Sequence, residues 1–479
     1  MLVARDKEKR ILQDTLTSEY SQFIAVYGRR RVGKTFLVRE SFDYDFAFQH
    51  AGLAKGSMAQ QLAHFCDSLR DAGWDAPIST PACWLEAFSI LKDLLRSSPR
   101  EKKVVFIDEL SWMDTRGSDL MMALEGFWNG WASARRDIVL IVCASATSWM
   151  ISEEVHNKGG LYNRLAAQID LKPFTLAECE QYLAANGIVM SRHDILECYM
   201  IMGGVPYYWG FLRRDLSLTQ NIDAAFFAAD APLRHEFDYL YASIFDSPHN
   251  HIAVITALST KKAGMTRNEI VSHSSLTNSG VLTRTLRELE SCGFIRTFTE
   301  LGKKKKDAVY QLVDNFTLFH FKFLAEDPDD EQLWTHLLNS PTRNAWCGLA
   351  FERVCLQHLS QIKQALGIWG VVTHAHSWRC SENPEAGVVG SQIDLLIARQ
   401  DRVTNICEMK YASSEYAITK AYERSLRDKV NDFQRVTGSK DAIHLTLITT
   451  HGLRRNPYAG RIQSVVTAED LFEPTRGLY

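Results

Sequence analysis

The stretch FIAVYGRRRVGKTFLVRE, residues 23–40, decides the fold. Its first five residues, Phe23 to Tyr27, are apolar enough to predict a strand buried on both faces. A helical pattern leads out from Lys34. Between the two, Gly28, Gly33, Lys34 and Thr35 keep the spacing G-x-x-x-x-G-K-[ST]. Glycines let the backbone turn its N–H groups toward a phosphate, and the helix N-terminus adds positive potential there. In this pattern Lys34 is expected to reach the β- and γ-phosphates, and Thr35 to hold Mg²⁺.

Further along, KKVVFIDEL (102–110) is an apolar strand ending in Asp108 and Glu109. A pair of carboxylates at a strand's carboxyl end lies where a nucleotide binds. Asp108 is expected to hold Mg²⁺ through its water shell, and Glu109 to polarise the attacking water. The run VCASATSWM (142–150) ends another strand with small hydroxyl residues. Ser145 or Thr147 is a candidate contact to the γ-phosphate or the water, with Thr147 preferred. The alternative is a plain strand-to-helix turn with Ser as N-cap. Arg164, in GGLYNRLAAQIDL, is a candidate finger for γ-phosphate charge, supplied by a neighbouring subunit of a homo-oligomer, or else a surface charge. Strands are predicted at 23–27, 45–50, 103–107, 138–145 and 168–172. Their alternation with helical patterns points to a parallel α/β sheet over residues 1–175.

At 479 residues the chain is too long for one ordinary domain. With 46% hydrophobic and 23% charged residues, it has the composition of a globular protein. No apolar run reaches the roughly 18 residues that span a bilayer, and MLVARDKEKRILQDTL carries charge throughout, unlike a secretory leader. The ten cysteines include no C-x-x-C pair, so reduced thiols and a cytoplasmic location are expected. A net charge of −3 does not by itself mark a nucleic-acid binder; local patches would have to do so.

Residues 176–245 read as a helical lid. In 246–325, MTRNEIVSHSSLTNSGVLTRTLRELESCGFIRTF predicts helix, turn, helix and strand, with Leu282, Leu286 and Leu289 on the core face of the second helix. A hairpin carrying Lys303, Lys304, Lys305 and Lys306 at its tip follows. The segment resembles a winged helix-turn-helix, which implies DNA as a partner, with a helix in the major groove and a basic wing on phosphates. The bland alternative is a protein-interaction module with a solvated loop. The acidic AEDPDDEQLW (325–334) reads as a linker, and a second α/β unit is predicted over 340–479.

Inside that unit, SQIDLLIARQDRVTNICEMKY (391–411) reads as two strands joined by a turn at Asp401, yet Asp394, Glu408 and Lys410 interrupt the apolar pattern. A hairpin centred on Asp401 sets Asp394 opposite Glu408, and the period of two puts Lys410 on the same face. Facing carboxylates repel unless a cation lies between them. Hard oxygen ligands suit Mg²⁺, and a neighbouring ammonium can activate the water that attacks a phosphodiester. Glu352 in GLAFERVCLQHL adds a third carboxylate from a helix. Lys429 and Gln434, on the helix that follows, are weaker candidates to line the site. The plain alternative is a surface ion pair.

Two resemblances organise these readings. YGRRRVGKT, FIDELSWM, CASATSWM, LYNRL…LKPFTLAE and GGVPYY, in this order, are similar to the archaeal-type ATPase family of AAA+-like P-loop proteins. The likeness covers roughly residues 1–245. It implies ATP as cofactor with Mg²⁺, and a five-stranded sheet whose Asp108 strand is not adjacent to the Gly28 strand. Glu352, Asp394 and Glu408-x-Lys410 resemble the PD-(D/E)xK nuclease superfamily, implying a restriction-endonuclease-like α/β domain with Asp394 and Glu408 on the metal. The expected protein is an ATPase coupled to DNA binding and Mg²⁺-dependent cleavage, suited to DNA processing or to defence against foreign DNA. The alternative is a non-cutting ATP-dependent switch whose C-terminal domain is a scaffold.

Overall fold

The computed structural model describes residues 2–115, 117–145, 164–245, 247–303 and 307–475. The chain forms two compact units, Met1–Pro173 and Phe174–Tyr479.

The first unit is built on five strands: β1 (Gln22–Gly28), β2 (Phe48–Ala51), β3 (Lys103–Asp108), β4 (Ile138–Ser145) and β5 (Ala167–Leu171). All pairings are parallel, in the order β2-β3-β4-β1-β5. As the family resemblance implied, β4 separates the Asp108 strand from the Gly28 strand. The side chains of β3 are buried along its whole length, because helices cover both faces. Phe23, Ala25, Val105, Ile107, Leu140 and Val142 pack on one side with Phe65, Phe88 and Phe127. Ile24, Val26, Val104, Phe106, Val139 and Ile141 pack on the other with Leu12, Leu37 and Val38. Successive residues of one strand thus serve opposite layers, which is why these strands are continuously apolar. The second strand starts later than the predicted 45–50. Asp43 and Tyr44 adopt positive φ, so the chain is still turning there.

An ion network ties two strand entrances together. Asp137 accepts hydrogen bonds from Arg135 Nε at 2.7 Å and from Lys103 Nζ at 2.9 Å. The Arg135 hydrogen bond, joined by Lys103, lowers the Asp137 carboxyl to about 2. A carboxylate whose folded pKa is depressed stabilises the fold above its unfolded value near 4, and that contribution fades as pH falls toward 2. Asp137→Asn is therefore expected to cost about 1 kcal/mol at pH 7, allowing for solvent screening, and to lower the melting temperature by about 2–4 °C. Calorimetry from pH 7 to 2 should find the difference shrinking below pH 4; a gap constant with pH would sink this account.

The second unit begins with the helices Leu176–Ala185, Arg192–Met202, Leu218–Ile222 and Glu236–Ile244. Next come helices His249–Ser259, Arg267–His273 and Gly280–Ser291, with the short strands β6 (Met265–Thr266), β7 (Ile295–Phe298) and β8 (Val309–Leu312). These strands form an antiparallel sheet ordered β6-β8-β7. Leu282, Leu286 and Leu289 are buried on one face of Gly280–Ser291, as their spacing predicts. Lys303 is exposed, and Lys304, Lys305 and Lys306 lie outside the described residues. The acidic stretch read as a linker is packed down: Asp327 pairs with Arg234 at 2.8 Å, and Trp334 is fully buried.

The last sheet holds β9 (Thr373–Cys380), β10 (Ser391–Arg399), β11 (Val403–Lys410), β12 (Ala442–Thr449) and β13 (Ile462–Thr467), in the order β13-β12-β11-β10-β9. Strands β9, β10 and β11 are antiparallel neighbours, while β12 and β13 run parallel to β11. Helix Lys420–Thr437 sets Leu426 and Phe433 against Ile393, Leu396 and Ile406 of this sheet. Among the described residues, no helix is long and apolar enough to cross a membrane.

Candidate functional site

The phosphate loop leaves the carboxyl end of β1. Gly33 takes φ 91°, a left-handed conformation that a side chain would strain, and it caps helix Lys34–Ser41. A Cβ on Gly28 would lie 2.4 Å from the Leu171 carbonyl oxygen of β5, so only glycine fits there. Lys34 is buried, and its ammonium donates to the carbonyls of Gly28 and Arg29, both at 3.2 Å. Its charge therefore sits inside the loop where a phosphate would lie. The Thr35 hydroxyl donates to Asp108 Oδ2 at 2.7 Å, joining two residues 73 positions apart. One hydroxyl and one carboxylate in contact beside a positively charged loop form a donor set that suits Mg²⁺ on a phosphate.

Glu109 follows directly, in the left-handed region at φ 48°. Non-glycine residues rarely adopt this conformation, and such strain clusters at working sites. Burial, and next the Asp108 charge, raise its carboxyl pKa above the usual range, while Lys34 opposes the rise. Thr147 lies outside the described residues. Arg164 is exposed and lies three positions before the first residue of β5, Ala167. There the Ala166 amide bonds the Phe23 carbonyl, at the entrance of β1 and the edge opposite the loop. The fold does not bring Arg164 to its own subunit's phosphate loop.

The second site lies in the C-terminal sheet. Leu395 pairs with Cys407 and Leu396 with Ile406, so the hairpin turns about Asp401 and Asp394 falls level with Glu408. Against β9 the register slips between Ile393 and Leu396, so that Asp394 and Leu395 together oppose Ser377. A bulge of this kind re-aims a side chain. Asp432, buried on the covering helix, accepts from the amides of Val389 and Gly390 at 3.1 Å and from the Ser391 hydroxyl at 2.6 Å. It thereby anchors the entrance of the strand that carries Asp394.

Glu352, Asp394, Glu408 and Lys410 line one open cleft of about 590 Å³, with Lys262 and Lys429 on its wall. Each of the two outer carboxylates is held by a lysine. Lys262 Nζ lies 2.6 Å from Glu352, and Lys429 bonds Glu408 Oε1 while the Tyr422 hydroxyl donates to Oε2 at 2.8 Å. Asp394 accepts from Gln392 Nε2 at 2.6 Å. Lys410 lies 5.0 Å from the Tyr422 ring centre, a cation–π distance. Burial raises the Glu352 carboxyl most, the Lys262 bond opposes this, and Asp394 adds to the rise. Among the described residues, no group of three or more Asp, Glu, His or Cys side chains is gathered closely enough to hold a metal as it stands. The donors are nonetheless all carboxylate oxygens, the chemistry a hard divalent cation takes.

Sequence reasoning proposed Lys429 only weakly and missed Tyr422, Asp432 and Lys262. Tyr422 and Lys429 lie seven apart on one helix face, a spacing that was available as a signal. Lys262 had none, being 90 positions from its partner Glu352. Gln434 is exposed and does not line the cleft.

Residues 2–210 match the family described as "ATPase domain predominantly from Archaea", so this stretch carries an ATPase domain of that type. An uncharacterized protein of Methanocaldococcus jannaschii is 24% identical over 370 residues, 76% of this chain and 78% of that protein. Among solved structures, a Walker-type ATPase of Pyrococcus abyssi is similar at a TM-score of 0.47 and 15% identity, over 66% of this chain and 95% of that one. The ORC2 protein of Aeropyrum pernix, solved as ADPNP and ADP complexes, aligns at 0.41 and 15% identity, over 67% and 93%.

Proposed function

We propose that this chain, whose residues 2–210 carry an archaeal-type ATPase domain, couples ATP hydrolysis to DNA binding and to Mg²⁺-dependent cleavage of a phosphodiester. The observation that carries the cleavage reading is the shared cleft of Glu352, Asp394, Glu408 and Lys410. These residues come from a helix and two strands, and the β10 bulge falls at Asp394–Leu395.

In the ATPase domain, Lys34 would steady the β- and γ-phosphates, while Thr35 and Asp108 would hold Mg²⁺. Glu109 would accept the proton of the attacking water, its raised pKa bringing it nearer to the working pH. Thr147 would contact the γ-phosphate, and Arg164 would act on a neighbouring subunit of a homo-oligomer. The edge position of Arg164 is what requires the second subunit.

In the C-terminal cleft, Asp394 and Glu408 would hold Mg²⁺, supplying Lewis-acid stabilisation of charge on the scissile phosphate. Glu352, on the same cleft, would position the water. Lys410 would stabilise the developing negative charge. Binding the cation requires Lys429 to release Glu408, an exchange of one cation for another on the same oxygen. Residues 246–325 supply the winged-helix reading: three helices with a small antiparallel sheet, and Lys303 exposed near the hairpin tip.

A second reading rests on the lysines that occupy Glu352 and Glu408. If those ion pairs persist, the domain is a scaffold and the protein an ATP-dependent DNA- or protein-binding switch. The deciding assay incubates the purified full chain with plasmid and single-stranded DNA and Mg²⁺, with and without ATP, beside a Glu408→Ala/Lys410→Ala double variant. Cutting that is absent from the variant supports the nuclease. Intact DNA in every lane, with ATP hydrolysis running in parallel, leaves the switch.

A further inference from the structure

Next to the carboxylate cleft lies a narrower recess that the mechanism above does not use. Lys262, Glu352, Gln392 and Asp394 line both cavities, so the two share a wall. Arg353 and Arg296 line the recess alone and not the carboxylate cleft. The helix Pro341–Gln357 carries Arg353 directly after Glu352, and β7 carries Arg296. Two elements of the second unit, whose arginines stand 57 positions apart along the chain, thus each contribute a cation to one hollow.

Arg353 is only 7% exposed and lines the recess, where the charges of Glu352 and Asp394 act on its guanidinium without a hydrogen bond to either. A guanidinium held by its stem in the core, with nitrogens that open onto a hollow and carry no hydrogen bond, is available to an acceptor that enters there. The acceptors at hand are few. Arg296 cannot satisfy it, being of like charge. Glu352 is taken by Lys262, and Asp394, whose charge acts on both arginines, accepts its hydrogen bond from Gln392. Glu300, on the same wall, is taken by Arg379 at 2.7 Å. Arg296 itself donates from Nε to Gln311 Oε1 at 2.7 Å and stacks 4.7 Å over Phe298, which holds the guanidinium flat and leaves its terminal nitrogens for another acceptor. Two guanidinium groups, one packed rigidly and one with nitrogens open onto the hollow, thus line a recess with room for about two waters. That space suits the two non-bridging oxygens of a phosphate and excludes a base or a sugar.

We propose that Arg353 and Arg296 form a phosphate-binding subsite for the nucleic-acid backbone, seating a phosphate next to the one cut over Asp394 and Glu408. Arginine suits this task because its planar fork binds phosphate through two parallel hydrogen bonds. The subsite rests on the nuclease reading of the neighbouring cleft and adds to it: the substrate strand must pass from the carboxylates toward β7. It also gives residues 246–325 a direct hold on the strand being cut, independent of the helix and wing.

The test measures binding of fluorescently labelled single- and double-stranded oligonucleotides to the full chain over a range of salt, with Arg353→Gln, Arg296→Gln and the double variant alongside. Loss of this one phosphate contact in the double variant should make the slope of log affinity against log salt shallower by about 0.7–0.9, and each single variant by no more than that. Affinity should fall about 10- to 100-fold per arginine. In cutting assays KM should rise while kcat holds, because a flanking phosphate is bound alike before and during the reaction. A parallel scan replaces one phosphate at a time with an uncharged methylphosphonate. One position beside the cut should weaken the wild type and leave Arg353→Gln unaffected. Should that variant fail to fold, the scan is repeated with Arg353→Lys, which keeps the charge and loses the fork. Wild-type protein that binds no DNA would overturn the nuclease reading and the subsite with it. DNA binding whose salt slope and methylphosphonate profile are the same in the folded variants would overturn the subsite alone.

Discussion

Lys34→Ala is expected to lower kcat for ATP hydrolysis by about 10²–10³-fold, the usual effect of removing one preorganised charge from a reacting centre. The geometry makes this a severe substitution. Lys34 is buried, and its ammonium is the donor that lies between the Gly28 and Arg29 carbonyls. Alanine removes the charge that balances phosphate and leaves those carbonyls facing each other. Binding of a fluorescent ATP analogue should weaken as well, since the ground state uses the same contact. Thermal unfolding without nucleotide separates a lost site from a lost fold. Hydrolysis at the wild-type rate by a folded Lys34→Ala protein would remove the phosphate loop from the reaction.

Lys410→Ala is expected to abolish DNA cutting by at least about 10²-fold while ATP hydrolysis and DNA affinity stay near wild type. Lys410 ends β11 two residues beyond Glu408, on the same face of the strand, and lines the cleft. The other described cations that line the cleft are Lys262, Lys429 and Arg424, and Arg424 lies 4.0 Å from Asp428. Lys429 is engaged with Glu408 and Lys262 with Glu352. The measurement is initial-rate cleavage of a labelled substrate under single-turnover conditions, with ATPase activity of the same preparation as control. A Lys410→Ala protein that cuts normally would make the E-x-K signature incidental and strengthen the switch. One that loses both activities would point to disturbed folding of the sheet, and Lys410→Met, which keeps the apolar stem, would then separate charge from packing.

The two sites differ in how far a linear reading reaches them. The phosphate loop is contiguous: a strand, a turn of fixed length and a helix, each with its own local signal. Even the Asp108 partnership was legible, because an apolar strand ending in an acid is itself a short pattern. The hairpin was legible for a similar reason. A turn at Asp401 and a period of two are enough to set Asp394 level with Glu408, and the register bears that out. The late start of β2 was not legible, since FAFQH reads as strand throughout while the positive φ of Asp43 and Tyr44 depends on how the preceding helix is capped.

What the sequence by itself determined is therefore everything governed by near neighbours along the chain. It set the alternation of the parallel sheet, the glycines and lysine of the loop, the buried leucines of Gly280–Ser291, and the facing carboxylates of the hairpin. Tertiary structure alone decided which distant groups meet those residues. Lys262 crosses 90 positions to reach Glu352, Asp432 reaches back to the entrance of β10, and Arg353 and Arg296 share one recess. The bulge at Asp394–Leu395 is likewise a property of β9 pairing with β10. The physical reason is range. Backbone sterics and periodicity act over a few residues and leave a mark in the order of side chains. Ion pairs and cavity walls are set by packing between elements, which no short stretch of sequence records.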